Sequence, residues 1–378
     1  MPGKPKVVVA AGGTAGHVVP AMAVADELRA SGAAVSFLGT RERVEAEMVP
    51  AAGYEIDFVK VRGIDRRNPL RAAGAGFEAL GAVAAARKAL RRRGADAVMG
   101  GGGFVAGPAG LAAVLAGTPL VLTEADSHLG LANRLLARWA QRVCLAFPIG
   151  GREGERYLLT GRPVPAEVLV ADRGAARERF GIGEEERCLF VVGGSQGARS
   201  INFAAVEAFA EREGRGFRVL HLSGRRDYEE LRTRLDAAPH RDGYELIAYD
   251  PAGLGQFLAA SDLVLGRSGG SIFEFAAAGR PAILVPYPHA TADHQSANAA
   301  WPERAGAAIV IADEELDGEL LAREVGAVFA DPARLLTMAS AATELALPDA
   351  ARRIADEVLV AAGAPELSSG LAAPGGLD

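Results

Sequence analysis

Apolar residues come in short runs along this chain, and each run closes on glycine or on polar residues. Lys6 to Ala11, Val35 to Leu38, Ile56 to Val61, Ala97 to Met99, Leu120 to Leu122 and Val143 to Leu145 have the length and continuity of buried strands. Between them, Pro20 to Arg29, Arg66 to Arg93, Ala109 to Ala116 and Leu131 to Ala140 carry helical spacing. Phe147 to Pro165 then breaks the pattern with Pro148, Gly150, Gly151, Gly154, Gly161, Pro163 and Pro165, and reads as a linker. After it the alternation restarts. Cys188 to Val192, Arg218 to Leu222, Glu245 to Ala248, Leu263 to Leu265, Ala282 to Val285 and Ala308 to Ile311 read as strands. Helices at Glu319 to Phe329, Pro332 to Leu345 and Asp349 to Ala361 close the pattern. Strands alternating with helices predict α/β domains built on parallel sheets. Gly363 to Asp378, rich in Gly, Pro, Ser and Ala, reads as a disordered tail.

The two halves echo each other. Val7 to Gly16 is a strand, then Gly12-Gly13-Thr14-Ala15-Gly16. Leu189 to Gly197 is a strand, then Gly193-Gly194-Ser195-Gln196-Gly197. Glycines permit the tight turn and let a phosphate or sugar approach backbone N–H groups. Two such loops, each opening an α/β segment, predict two Rossmann-like domains facing each other across a cleft. Neither loop is GxGxxG, and no acidic residue ends the second strand, which runs into Gly39-Thr40, so a dinucleotide dehydrogenase is disfavoured. Neither is GxxxxGK[ST], which disfavours a P-loop NTPase.

Ligands of an open parallel sheet sit at the carboxyl ends of its strands. Arg267 to Asn298 carries two strand ends in succession. Leu263 to Leu265 leads into Arg267-Ser268-Gly269-Gly270 and a helix from Ser271, with Glu274 in its first turn. Ala282 to Val285 leads into a loop and a helix at Asp293-His294-Gln295. A carboxylate suits two adjacent sugar hydroxyls better than a phosphate, so Glu274 with Gln295 suggests a nucleotide-sugar site. Glu274 could equally serve its own helix N-terminus. His17, after the first glycine loop, stands where a helix dipole keeps imidazole neutral and able to take a proton, or it is a capping histidine. Gly100 to Pro108 and Thr123 to Gly130 add polar loops at the same sheet edge. There Glu124 and Asp126 are alternative bases, or caps of the next helix.

Composition narrows the class. The 378 residues include 49% hydrophobic and 23% charged residues, and the net charge of −6 argues against a general polyanion binder, hence against nucleic acid. Cys144 and Cys188 form neither a disulfide framework nor a metal spacing, which points to a reducing compartment. Val7 to Ala11 is too short for a signal-peptide core. Ala97 to Thr123 is uncharged, but its seven glycines with Pro108 and Pro119 make a poor membrane span. Arg62 to Arg93 mixes Arg62, Arg66, Arg67, Arg71, Arg87, Lys88 and Arg91 to Arg93 with Leu70, Phe77, Leu80, Val83 and Leu90. It reads either as a helix lying on an anionic membrane surface or as a sheet-covering helix with a solvated end.

These motifs resemble the MurG-type UDP-N-acetylglucosamine transferases of glycosyltransferase family 28. The likeness runs from about Lys6 to Ala361. It rests on GGTAGH (Gly12 to His17), GGGFVAGP (Gly101 to Pro108), GGSQGAR (Gly193 to Arg199), RSGGSIFEFAAAG (Arg267 to Gly279) and DHQSANA (Asp293 to Ala299). It implies a GT-B fold with an acceptor domain at 1–163, a UDP-GlcNAc domain at 164–346, and a helix near 347–362 returning to the first. The expected reaction is inverting transfer of N-acetylglucosamine (GlcNAc) from UDP-GlcNAc to the muramoyl 4-hydroxyl of undecaprenyl-diphosphate-linked muramoyl-pentapeptide, lipid I. No cofactor and no active-site metal are expected, and the place of action is the anionic inner membrane surface, on its cytoplasmic face. By resemblance, Thr14, Ala15 and Gly16 lie beside the donor sugar and diphosphate, and His17 is a base or acceptor-site residue. Ser195 and Gln196 sit at the diphosphate, with Ser271 among the donor-binding residues. Glu274 holds the ribose, His294 and Gln295 the GlcNAc hydroxyls, and the uracil lies near Tyr249 to Leu254. Several positions depart from the family pattern. Ala15 replaces a glycine, Asp126 an amide that usually contacts the sugar, and Pro165 an arginine for which Arg162 substitutes.

Overall fold

The computed structural model describes residues 4–61, 69–194, 197–212, 216–290 and 293–364, and for 69–79 the backbone alone. These residues group into two compact units, one drawn from Met1–Pro163 and Asp349–Asp378, the other from Val164–Pro348.

The first unit holds β1 (Lys6–Ala10), β2 (Ala34–Gly39), β3 (Glu55–Phe58), β4 (Ala97–Gly100), β5 (Leu120–Glu124), β6 (Arg142–Leu145) and β7 (Tyr157–Leu159). All pair in parallel, in the order β3-β2-β1-β4-β5-β6-β7. Successive side chains of β1 go to opposite faces. Val7 and Val9 join Phe37, Met99 and the helices Ala15–Ala30 and Ala350–Ala361. Val8 and Ala10 join Leu38, Val98 and the helices Pro69–Arg93 and Gly103–Ala116. Covering on both faces is why these strands read as continuous apolar runs.

The second unit holds β8 (Arg187–Val192), β9 (Phe217–Leu222), β10 (Tyr244–Ile247), β11 (Leu263–Gly266), β12 (Ala282–Leu284) and β13 (Ala308–Val310), parallel in the order β10-β9-β8-β11-β12-β13. Each sheet reverses direction once, between β1 and β4 and between β8 and β11. Those are the topological switch points where α/β sheets take ligands.

Some expectations move. The first helix starts at Ala15, not Pro20, so His17 lies in its first turn and Pro20 inside it. Proline lacks the N–H that would reach the Gly16 carbonyl four residues back. Arg162 Nη2 donates to that carbonyl instead, at 2.5 Å. The helix after β4 begins at Gly103 rather than Ala109, taking in most of the expected glycine loop. The linker Phe147 to Pro165 contains β7, the edge strand. Helices Glu45–Ala51, Ala166–Val170, Arg173–Arg179, Tyr228–Ala237 and Gly255–Ala260 fill segments that the pattern left unassigned. Residues 365–378, most of the expected tail, lie outside the described residues.

Candidate active site

In the first unit the loops after β1 and β4 meet at the switch point. A Cβ on Gly103 would fall 1.9 Å from the Gly12 carbonyl oxygen, so these two loops touch backbone to backbone and only glycine fits. A Cβ on Gly102 would fall 2.5 Å from His17 Cδ2. The His17 ring therefore rests on the Gly102 backbone, and its Nδ1 lies 3.1 Å from Thr14 Oγ1. Burial first, then the Arg162 guanidinium, lower the His17 pKa, while Asp126 works against them. The imidazole is neutral at pH 7. If Nδ1–H donates to Thr14 Oγ1, Nε2 keeps the lone pair that a general base needs.

Beneath this loop lies Glu45, fully buried. Its carboxylate accepts from Gly13 N (3.0 Å), Thr40 N (3.0 Å) and Thr40 Oγ1 (2.6 Å). Burial pushes its pKa up, but the Thr40 hydroxyl and the backbone donors outweigh burial and hold it below the ordinary range. Gly12 and Gly39 have no side chain where Glu45 runs, since their Cβ atoms would fall 2.4 and 2.7 Å from it. The pattern gave no hint of this role. Glu45 sits in a charge-rich stretch that the pattern left unassigned.

Glu124 and Asp126, after β5, differ in availability. The buried Glu124 carboxylate accepts from Gly130 N (2.8 Å), Asn133 Nδ2 (2.9 Å) and Asp126 N (3.2 Å). Burial raises its pKa against those bonds. Its oxygens are committed to shaping the loop. Asp126 is half-buried and within electrostatic reach of His17. His17, Glu124, Thr123, Arg162 and Ile354 line one small hollow.

In the second unit the loop after β11 is tied down by its polar side chains. Arg267 donates to Val285 O, Pro286 O and Asp313 Oδ1 through Nη1, and to Ser200 Oγ through Nη2. Ser268 Oγ donates to Gln295 O at 2.7 Å, and Asn298 Nδ2 to Ser268 O at 3.3 Å. Ser271 stands just before the helix Ile272–Ala277 without a side-chain capping bond, and Glu274 lies in its first turn between buried Phe273 and Phe275. Gln295 Oε1 accepts from Tyr287 N at 2.9 Å, which turns its amide nitrogen towards Gly269. His294 opens the helix His294–Arg304. Glu274, His294 and Gln295 thus sit on two helix starts joined through Ser268. Ser195 and Gln196 lie outside the described residues. Thr14, Ala15 and Gly16 belong with His17 and Arg162 in the first unit. Sequence reasoning missed Ser268, Asn298, Asn133 and Asp313, whose amide, hydroxyl and carboxylate types carry no periodic signal.

The models for the glycosyltransferase family 28 N-terminal and C-terminal domains match residues 7–145 and 188–354. The chain belongs to glycosyltransferase family 28. The UDP-N-acetylglucosamine–N-acetylmuramyl-(pentapeptide) pyrophosphoryl-undecaprenol N-acetylglucosamine transferase of Moorella thermoacetica is 40% identical, covering 94% of this chain and 98% of the relative. The protein of the same name from Halorhodospira halophila is 41% identical, covering 92% and 96%. The crystal structure of Acinetobacter baumannii MurG matches with a TM-score of 0.78 at 29% identity, covering 95% of this chain and 100% of that one. The GT-B fold read from the sequence is the fold these comparisons give.

Proposed function

We propose that this family 28 chain transfers GlcNAc from UDP-GlcNAc to the muramoyl 4-hydroxyl of lipid I, forming lipid II with inversion. The full-length likeness at 40% and 41% identity to transferases named for that donor and acceptor carries the reading. The geometry is consistent with the following roles. His17 Nε2 takes the proton from the acceptor hydroxyl. The acceptor oxygen bonds to the anomeric carbon as the bond to the β-phosphate oxygen breaks, and that electron pair leaves with UDP. Asp126 is the second candidate base, and the commitments of Glu124 leave it third. Glu274 grips the ribose hydroxyls, and Gln295 reads GlcNAc through its amide nitrogen, with His294 beside it. Ser195, Gln196 and Ser271 serve the diphosphate.

The acceptor is lipid-linked, and the first unit has a surface suited to it. Leu131, Leu135 and Trp139 are exposed at helical spacing, and the Arg138 guanidinium lies 3.8 Å from the Trp139 ring centroid. Leu115 and Leu80, on neighbouring helices, are also exposed. Aromatic and aliphatic residues rimmed by arginine suit an anionic lipid interface. Of Arg62 to Arg93, read from the sequence as either a membrane-surface or a sheet-covering helix, residues 62–68 and the side chains of 69–79 lie outside the described residues. No described helix is long and apolar enough to cross a membrane.

Labelled UDP-GlcNAc and a soluble lipid I analogue test the reaction. A labelled disaccharide, formed at the same rate with EDTA, is the expected product. Epimerised donor without acceptor would establish a sugar epimerase instead. Donor binding without turnover would leave a non-catalytic scaffold.

A further inference from the structure

UDP leaves this site carrying the electron pair of the broken bond, so a cation near its β-phosphate would lower the barrier. The carboxyl edge of the second sheet offers four arginines on described residues: Arg199, Arg225, Arg226 and Arg267. Their commitments differ. Arg267 is 13% exposed and held by Asp313, Ser200 and two carbonyls. Arg199 forms a fork with Glu230, at 2.8 and 2.9 Å. Arg225 lies over the Tyr249 ring, 4.9 Å from its centroid. Arg226 is 59% exposed, and its ion pair is with Asp227, a nearly buried residue (2% exposed) that it meets at 3.1 and 3.2 Å through one edge of its guanidinium.

The position of Arg226 follows from the strand order. It comes just after β9, and its partner Asp227 also accepts from Arg199 and Asn202, on the helix Arg199–Val206 that follows β8. Arg226 is thereby held beside the helix start that follows the β8 glycine loop, next to the switch point between β8 and β11.

Asp227, which aims Arg226, is itself fixed by a buried chain of hydrogen bonds. Asn202 Nδ2 donates to Asp227 Oδ2 (3.0 Å) and to Ser223 O (2.9 Å). With its nitrogen facing two acceptors, Asn202 presents Oδ1 to His221 Nε2 at 3.0 Å. His221 Nε2 must then carry the proton, which leaves Nδ1 to accept from Tyr244 OH at 2.7 Å. His221 and Asn202 are fully buried, and burial pushes the His221 pKa down to about 3, so this tautomer persists at neutral pH. Every donor in the chain Tyr244, His221, Asn202, Asp227 points the same way. The chain also braces the glycine loop after β8, because a Cβ on Gly197 would fall 2.3 Å from Ser223 O.

We propose that Arg226 binds the leaving diphosphate and neutralises its growing charge, and that the buried chain from Tyr244 through His221 and Asn202 to Asp227 positions it. The proposal rests on the reading of the second unit as the donor half. Arg226 touches the leaving group, while Asn202, His221 and Tyr244 act through Asp227 and are positioning residues.

Titration of UDP into the full-length protein, alongside steady-state transfer, tests this. Arg226→Gln should weaken UDP binding about tenfold and lower kcat about a hundredfold to a thousandfold, the range for losing one charge-stabilising donor. The acceptor KM should not move, and Arg226→Lys should recover part of both losses. Tyr244→Phe, which removes only the far end of the chain, should weaken UDP binding two- to threefold with the acceptor KM unchanged. UDP affinity and kcat within twofold of wild type in Arg226→Gln would overturn the role of Arg226. A lower melting temperature in Tyr244→Phe with unaltered UDP affinity would overturn the positioning role. The two readings fail separately. Wild-type protein that binds UDP but makes no disaccharide removes the transfer reaction, and the UDP titrations still decide Arg226. Wild-type protein that does not bind UDP removes both.

Discussion

The two units open with nearly the same residues, Gly12-Gly13-Thr14-Ala15-Gly16 after β1 and Gly193-Gly194-Ser195-Gln196-Gly197 after β8, yet their surroundings differ in sign. Around the first loop stand Glu45, Glu124 and Asp126, with Arg162 as the near cation. The Gly13 N–H, a donor that a phosphate cradle would turn outward, is bound to the Glu45 carboxylate. Near the second loop stand Arg199, Arg226 and Arg267, with Asp227 and Asp313 holding them. Glycines make a close approach possible, and the side chains behind them decide what approaches. Carboxylates around a neutral imidazole suit a hydroxyl that must lose its proton. Arginines braced by aspartates suit a diphosphate that must gain charge.

The sharpest way to break this contrast is to remove one group from each side. His17→Ala should lower kcat by about a hundredfold or more, the usual range for losing a general base. Glu274→Ala should raise the donor KM about tenfold to a hundredfold, as expected for a charged hydrogen-bonding group lost from a site. Comparable rises in donor KM from both variants would erase the contrast. A subtler break lies beneath the first loop. Glu45→Ala strands the Gly13 and Thr40 donors and should cost about 2–4 kcal/mol of stability, read by denaturant unfolding. Unchanged stability would mean that the loop does not depend on its buried carboxylate.

Smaller effects sharpen the electrostatics of His17. Its pKa is lowered, so it should stay in the neutral, proton-accepting form down to below pH 6.5. The acid limb of kcat/KM should therefore lie below that value. Asp126→Asn removes the influence that raises the pKa and should move the limb to lower pH, while Arg162→Gln should move it to higher pH. Shifts of the same sign would show that another group governs the limb. Stability follows the same logic at His221. Its folded pKa of about 3 lies below the ordinary 6.5, so between those values the unfolded chain binds the extra proton. The contribution of neutral His221 is fully present above pH 6.5 and is lost as pH falls towards 3. His221→Gln should flatten that part of the stability profile.

The strands and both glycine loops were legible because strands buried on two faces leave continuous apolar runs, and tight turns leave glycine. The start of the first helix was not, because Pro20 mimics a first-turn proline. Only the Arg162 bond to the Gly16 carbonyl shows how a proline sits inside. Glu45 was illegible for another reason. The strand end Gly39-Thr40 reads as lacking an acidic partner, while the acid arrives a few residues later from the next helix and folds back under it. Asn202 and Asp227 gain their meaning from a neighbouring strand, which no spacing in one chain segment reveals. Glu274 and Gln295 were singled out from strand-end position alone, and the Ser268 tie shows how their two helix starts are held in register.

The division of labour between the loops is tested most directly by titrating UDP into the full-length protein, its His17→Ala variant and its Glu274→Ala variant. UDP should bind His17→Ala as tightly as wild type and bind Glu274→Ala about tenfold or more weakly, although both variants lose turnover. Equal weakening in both, or weakening in His17→Ala alone, would contradict the account.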